Sequence, residues 1–430
     1  MIQFAHKTIK DINIKNKTIL LRSDFNVPIS SDSKVSGDFR IRQALPTIEY
    51  LIENNCRVII CSHLGRPEGK VDSRFTLAPV AQELKKLLNR KISFATDCIG
   101  QVRTEKQKTL KSGEILLLEN LRFYPEEEAN DKEFAAKLAE GIDVFVQDGF
   151  GVVHRKHAST DAITKHLPSV AGLLLEKEVT TITNAMHNPK KPLMAIVGGA
   201  KIADKIGILR LFIKHADFVA VGGAMANTFL HAQRIDVGKS LIDNADVPLA
   251  KTILEEAKAE SKKRPFTFYL PQDGVVASKI DSKAETRIVD WDAHAIAEIE
   301  NYPRRAPISS GRVADDERIL DIGPFSGAFI AGSMQFCNTV IWNGVMGVTE
   351  THSVHGPVGP FAHGTEIIME AMFGEFGHKP FSLIGGGDTS SYVESRDMVE
   401  FFNHVSTGGG ASLELMEGRK LPGIEALQKS

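Results

Sequence analysis

The stretch LMAIVGGAKIADK, residues 193–205, sets the residue types for an anion site side by side. The five apolar residues 193–197 read as a short buried strand, and Gly198-Gly199 turn the chain with no side chain in the way. Lys201 and Lys205 follow four residues apart, a spacing that places both ammonium groups on one face of a helix beginning here. A strand end, bare backbone N–H groups, a helix N-terminus and two cations predict anion binding, with phosphate the leading candidate. The plainer reading of the same stretch is a tight βα turn with two solvated lysines.

The elements around it have a pattern. In the first half, strand-like runs at 18–21, 57–61, 114–118 and 143–146 alternate with amphipathic helical stretches at 41–54, 77–88 and 131–140, the signature of a mostly parallel sheet. Each run ends in a polar cluster: Arg22 with Asp24 and Asn26, His63 with Arg66, Arg122, and Arg155. In open α/β sheets ligands bind beyond the carboxyl ends of the strands, so these arginines should gather on one edge, with Arg40 opening the first helix beside them. Any one arginine alone reads as a surface ion pair. A rim of five suits a multiply anionic small ligand, because guanidinium grips phosphate and carboxylate bidentately.

Residues 167–170 read as a helix start and 171–187 as a long helix ended by Asn188-Pro189, which sets the domain junction here. The second half repeats the strand logic with glycine in place of arginine. Runs at 193–197, 218–221, 266–270, 339–342, 381–384 and 401–405 end in Gly198-Gly199, Gly222-Gly223, Pro271, Asn343-Gly344, Gly385-Gly386-Gly387 and Gly408-Gly409-Gly410. The last two glycine turns precede helical stretches and can aim helix N-terminal N–H groups at a phosphate. Asp388, next to Thr389, suits a carboxylate holding Mg²⁺ on a nucleotide, and suits a helix N-cap equally. Glu350 could accept from ribose hydroxyls or sit solvated in a loop. Residues 290–316 read as a surface loop or insertion.

Bulk properties exclude other classes. The 430 residues carry a formal net charge of −2, so no global basic field points to nucleic acid or membrane. The four cysteines form no CxxC and no ligand cluster, and read as buried thiols of a reducing, cytoplasmic compartment. No signal peptide and no apolar run of spanning length stands out. There is no GxxxxGK[ST], no HRD or DFG set, no GxSxG and no GxGxxG after a strand. Cations and glycine turns without an obvious nucleophile fit phosphoryl transfer, which asks for alignment and charge neutralisation rather than covalent chemistry.

With these stretches assembled, the chain resembles the phosphoglycerate kinase family over nearly its whole length. The matching motifs are RSDFNVP (22–28), SHLGRP (62–67), ENLRF (119–123), QDGFG with His154-Arg155, VGGAKIADKI (197–206), WNGVMGVTE (342–350), GGGDTSS (385–391) and STGGGASLELMEGRKLPGI (406–424). The resemblance implies an α/β protein of two Rossmann-like lobes, each a mostly parallel sheet flanked by helices, joined by a long helix and hinge. The expected parts are an acceptor lobe at 1–170, a linking helix at 171–188, a nucleotide lobe at 189–405, and a segment at 406–430 returning to the first lobe.

It also implies reversible phosphoryl transfer from 1,3-bisphosphoglycerate to Mg-ADP, giving 3-phosphoglycerate and Mg-ATP, by hinge closure in a cytoplasmic monomer. Carried over by motif, Arg22, Asp24, Asn26, Arg40, His63, Arg66, Arg122 and Arg155 are the phosphoglycerate site. Gly199, Lys201, Lys205, Gly223, Asn343, Glu350, Gly387, Asp388 and Thr389 are the nucleotide site, with Asp388 on Mg²⁺ and Glu350 on the ribose. Arg40, Lys201, Gly386 and Gly409 surround the moving phosphoryl. The chain departs from the family's usual pattern at Val152-Val153, where Thr-Ala is common, at Phe325, where lysine is frequent, and at Val345, which replaces a proline; residues 290–316 run longer than the family's norm. A binding-only anion sensor and a kinase forming a smaller acyl phosphate remain as other readings.

Overall fold

The computed structural model describes residues 2–291, 308–351, 353 and 356–429, with 308–310 described by backbone alone. The chain divides into two compact units, Met1–Asn184 with Thr407–Ser430, and Ala185–Ser406. It crosses from one to the other inside the helix Leu173–His187.

The first unit is built on six parallel strands: β1 (Thr18–Arg22), β2 (Arg57–Cys61), β3 (Ile92–Phe94), β4 (Ile115–Leu117), β5 (Val144–Gln147) and β6 (Ser169–Ala171), in the order β3-β4-β2-β1-β5-β6. Its central strands are apolar on both faces, as a sheet covered on both sides must be. Alternation then sorts them. Ile19, Leu21, Val58 and Ile60 join one core with the helices Phe39–Glu53 and Ala78–Leu88. Leu20, Ile59, Cys61 and Phe145 join the other with Phe134 and Leu138 of the helix Lys132–Ala139. Register pairs Arg22 with Cys61 and with Gln147, so the chain leaves three strands at one level, the level where His63, Asp24 and Asp148 follow.

The segment 167–170, read from sequence as a helix start, instead supplies β6. Val170 is fully buried and the run pairs with β5, so tertiary burial outweighs the helix-start signal of Pro168. The helix begins at Leu173, where buried Asp148 Oδ1 accepts from the backbone N–H groups of Leu174 and Leu175 at 3.0 and 3.2 Å.

The second unit holds another parallel sheet from β7 (Leu193–Val197), β8 (Phe218–Val221), β9 (Thr267–Tyr269), β14 (Thr339–Asn343), β15 (Phe381–Gly385) and β16 (His404–Val405), in the order β16-β15-β14-β7-β8-β9. Val197, Asn343 and Gly385 are register partners, which sets the glycine turns after β7, β14 and β15 in one row. Beside it lies a four-stranded sheet, β12-β11-β10-β13, from β10 (Asp273–Ala277), β11 (Arg287–Asp290), β12 (Ile308–Ser310) and β13 (Arg318–Ile322). The reading of 290–316 as a surface loop or insertion is corrected in part: Asp290 completes β11 and Ile308–Ser310 form β12, while residues 292–307 lie outside the described residues. The departures at Val152 and Val153 are core positions, 2% and 0% exposed.

Candidate functional site

In the first unit the strand ends collect cations around one buried histidine. His63 is 3% exposed, and its basicity is held well below that of a free imidazole, first by burial and then by Arg22, Arg122, Arg155 and Arg40. The ring is therefore neutral at physiological pH. Arg22 is itself buried. Its Nε donates to Ser159 Oγ at 2.8 Å, its Nη1 to the Ser23 carbonyl, and its Nη2 stands 3.4 Å from His63 Nδ1. Arg122 is buried too. Its Nη1 donates to the Gly65 carbonyl at 2.7 Å and its Nε lies 3.0 Å from Glu128, while Nη2 is buried with no hydrogen-bond partner. Burial brings its basicity down to about 10, against the pull of Glu128 and with Arg155 and Arg22 adding repulsion. An orphaned guanidinium donor among like charges is a demand for an anion.

Asp24 and Asn26 organise the mouth. Asp24 Oδ2 is 3.5 Å from Arg40, and Oδ1 accepts from Asn26 N–H at 3.1 Å. A side chain at Gly151 would put its Cβ 2.1 Å from Asp24 Oδ2, so glycine is required there for the carboxylate to seat. The Asn26 carbonyl accepts from Arg40 at 2.8 Å, and its side-chain oxygen from Gly65 N–H at 2.9 Å. Arg66, the next residue, is exposed and carries no ion pair or hydrogen bond to another described residue. Arg155 Nε donates to His154 Nε2 at 3.2 Å. The 407–410 turn packs here as well. Gly408 faces the Phe150 ring, where a Cβ would come within 2.3 Å, and Gly409, at φ 49°, precedes the short helix Gly410–Met416.

In the second unit the glycine turns border a cavity of about 450 Å³ lined by Gly199, Gly223, Val345, Glu350 and Asp388, among others. Gly223 sits at φ +66°, and a Cβ there would meet the Gly199 backbone nitrogen at 2.7 Å. Glu350, Gly387 and Asp388 are exposed. Gly386, at φ 89°, precedes the helix Gly387–Ser395 and lies against the Asn343 side chain, whose Nδ2 is buried without a partner. Thr389 is fully buried, and its hydroxyl accepts from Gly344 N–H at 2.7 Å, which ties the β14 turn to the helix Gly387–Ser395.

The expected helix face carrying both lysines is corrected. Lys201 precedes the helical turn Ala203–Lys205, and the α-helix Ile206–His215 begins only after it, because the glycine pair carries an irregular loop past β7. The two lysines consequently differ. Lys201 is exposed and unpartnered among the described residues. Lys205 Nζ donates to the Gly198 carbonyl (2.6 Å), the Asn343 carbonyl (2.9 Å) and Asn343 Oδ1 (2.7 Å). Burial lowers its basicity to about 8, against the opposing pull of Asp388 and Asp204.

Sequence reading missed Lys239, Trp291 and Arg318, which also line the cavity, and Glu127, Ser159 and His157 beneath the arginines. The cavity residues carry no motif. Glu127 is the middle of three consecutive acids, and nothing local marks it as the buried one. Among the described residues no cluster of three or more His, Cys, Asp or Glu could hold a metal ion, and no helix is long and apolar enough to cross a membrane. The exposed Asp388 carboxylate at the cavity fits Mg²⁺ that arrives with a nucleotide, since that ion takes one or two carboxylates and fills its shell with phosphate oxygens and water.

Comparison with known proteins gives one answer. The family model of phosphoglycerate kinase matches residues 9–419. The phosphoglycerate kinase of Moorella thermoacetica is 44% identical over 423 residues, covering 98% of this chain and 99% of its own. That of Prochlorococcus marinus is 40% identical, with both chains covered completely. Among solved structures, the phosphoglycerate kinase of Coxiella burnetii superposes with a TM-score of 0.77 at 36% identity, and that of Pyrococcus horikoshii with 0.79 at 30%, each covering 98% of both chains.

Proposed function

The chain belongs to the phosphoglycerate kinase family and is a phosphotransferase with a carboxyl group as acceptor, and from that premise we propose that its first unit binds the phosphoglycerate and its second the nucleotide. The observation that carries this reading is the convergence of Arg22, Arg40, Arg122 and Arg155 on neutral His63, with a buried guanidinium donor left unpaired. A dianionic phosphate and a carboxylate on a three-carbon acid supply the missing partners.

In this reading Arg66 and Arg122 take the phosphate, with His63 and Arg155 beside them, while Asp24 and Asn26 orient the rest of the acid. Arg40 reaches the carboxyl end, where transfer occurs. On the nucleotide side, Gly199 and Gly223 admit the nucleotide close to backbone, Glu350 accepts from the ribose, and Asn343 Nδ2 and the N–H groups opening at Gly387 donate to phosphate. Asp388 would hold Mg²⁺, which when bound neutralises charge on the nucleotide phosphates. Lys205 serves the same phosphates once one of its internal hydrogen bonds is exchanged.

The acceptor carboxylate is already ionised, so the reaction needs no general base. The barrier falls by alignment and by cations that track the moving phosphoryl, the role of exposed, uncommitted Lys201 together with Arg40, and the turns at Gly386 and Gly409 supply N–H groups. In-line transfer requires the two bound substrates to meet with water expelled, hence a closed ternary complex. The protein works as a cytoplasmic monomer with ADP/ATP and 1,3-bisphosphoglycerate/3-phosphoglycerate as its only required partners. The test is ATP formation from ADP, Mg²⁺ and 1,3-bisphosphoglycerate: turnover that stops on chelation is expected, and its absence with metal present overturns the reading.

A further inference from the structure

Beneath the arginine rim lies a chain of buried groups that no substrate reaches. Glu127 is 0% exposed and Ser159 is 0% exposed. Ser159 Oγ donates to Glu127 Oε1 at 2.6 Å, and Ser159 N–H donates to Oε2 at 3.0 Å. A hydroxyl has one proton. With it given to Glu127, the oxygen must face Arg22 as an acceptor, which is how Arg22 Nε meets it at 2.8 Å. Glu127 also stands 3.9 Å from Arg22 Nη2 and 3.9 Å from His157 Nδ1. Burial drives His157 down to about 4, with Arg22, Arg122 and Arg155 adding to it, so that ring is neutral and, among the described residues, Arg22 is the only cation within 4 Å of Glu127.

The guanidinium of Arg22 is thus fixed in plane by Ser159 on one edge and the Ser23 carbonyl on another. Its remaining edge, Nη2, faces His63 Nδ1 at 3.4 Å, nearer than Asp24 Oδ1, which stands 3.8 Å from the same ring nitrogen and beyond hydrogen-bond reach. Arginine can only donate, so Nδ1 is the accepting nitrogen, and a neutral imidazole that accepts at Nδ1 carries its proton on Nε2.

We propose that Glu127 and Ser159 are positioning residues that act through Arg22 to fix the tautomer of His63, so that its Nε2–H is presented as a donor to the anionic oxygens of the acceptor. This rests on the reading of the arginine rim as the phosphoglycerate site. Without the relay, the guanidinium can turn, Nδ1 loses its obligatory donor, and the ring samples the tautomer whose outward nitrogen repels an anion. Removing either residue should therefore weaken acceptor binding and leave the nucleotide side alone.

The experiment uses the full-length protein labelled with 15N-histidine, with the His63 signals assigned by their loss in His63→Gln. In the unmodified protein, His63 should show an unprotonated Nδ1 and a protonated Nε2. In Ser159→Ala, which keeps both charges, the two shifts should move toward a tautomer average. KM for 3-phosphoglycerate should rise about tenfold while kcat and KM for ADP stay within twofold. Glu127→Gln should do the same more strongly, and Ser159→Thr, which restores the hydroxyl, should recover the tautomer and the KM. If Glu127→Gln does not fold, Ser159→Ala decides alone. A proton on Nδ1 in the unmodified protein, or Ser159→Ala with unchanged tautomer and KM, overturns the relay. If His63→Gln leaves 3-phosphoglycerate affinity unchanged, the acceptor reading itself falls, and the inference with it.

Discussion

In the first unit three of the rim cations are long side chains braced from behind: buried Arg22 on Ser159, buried Arg122 on the Gly65 carbonyl, and half-buried Arg40 on the Asn26 carbonyl. In the second unit the anion-facing material is mostly backbone. Gly199, Gly223 and Gly386 sit at positive φ, and of the two lysines one is half-buried and committed while the other is exposed and unpartnered among the described residues. Under the proposed assignment of acceptor and nucleotide to the two units, the difference teaches what each ligand demands. A small acid with two anionic ends offers little surface, so recognition must come from charge held in fixed directions. A nucleotide offers a long phosphate tail that backbone can approach closely, so charge can be kept for the group that moves.

This contrast predicts where each substitution will be felt. The largest effect is expected at Lys201. Lys201→Ala should lower kcat by about 10²–10³-fold with KM for 3-phosphoglycerate nearly unchanged, because its charge is needed chiefly in the transition state. Steady-state kinetics in both directions would show it, and a large loss of acceptor affinity instead would move Lys201 to the other site.

Gly223→Ala comes next. The added methyl meets the Gly199 nitrogen at 2.7 Å in a backbone conformation that L-residues resist. It should destabilise the second unit by about 1–3 kcal/mol and raise KM for ADP more than tenfold, with acceptor binding intact. Thermal unfolding and calorimetric titration with each ligand separate the two units' responses. Arg66→Ala should show the reverse emphasis, with acceptor affinity down about tenfold and ADP affinity held. Since Arg66 is exposed and unpartnered, its melting temperature should not move.

The smallest effect is a pH dependence confined to the nucleotide side. Lys205 titrates at about 8 in the folded protein against 10.5 ordinarily. Bound phosphates favour its charged form, so ADP affinity should fall about fivefold between pH 8 and 9, and Lys205→Met should flatten that slope. For stability the sign is opposite. The folded state holds this proton less tightly than the unfolded chain, so the Lys205 contribution rises as pH climbs from about 8 toward 10.5. Acceptor affinity should show no matching slope in that range, and one of equal size would erase the contrast.

Much of this architecture was legible because parallel strands buried on both faces leave plain apolar runs, and β2, β7 and β8 begin and end where those runs do. The sheet of β10–β13 was not. Asp273-Gly274 opens β10 yet carries the composition of a turn, and RIVD of β11 is too short to show a period. The rim arginines were legible as types and positions, but not their depth. Nothing local in RSDFNVP says that Arg22 points inward, since Ser159 and Glu127, which hold it there, lie more than a hundred residues on. The lysine spacing misled for a related reason: a four-residue interval implies a shared face only if the helix already exists, and Gly198-Gly199 delay it.

The division of the chain has a consequence for how the molecule is made. Thr407–Ser430 completes the first unit: Gly423 N–H donates to the Val153 carbonyl, Gln428 N–H to that of Ser169, and Lys7 N–H to that of Gln428. Yet the whole of Ala185–Ser406 leaves the ribosome before this closing piece does. The second unit can therefore begin to fold first, while the arginine-bearing unit waits with an open flank at Val153 and Ser169. Chains stopped at Ser406 and held on the ribosome by a flexible linker long enough to clear the exit tunnel should resist protease within Ala185–Ser406 and yield in the residues before it, an order opposite to that of translation.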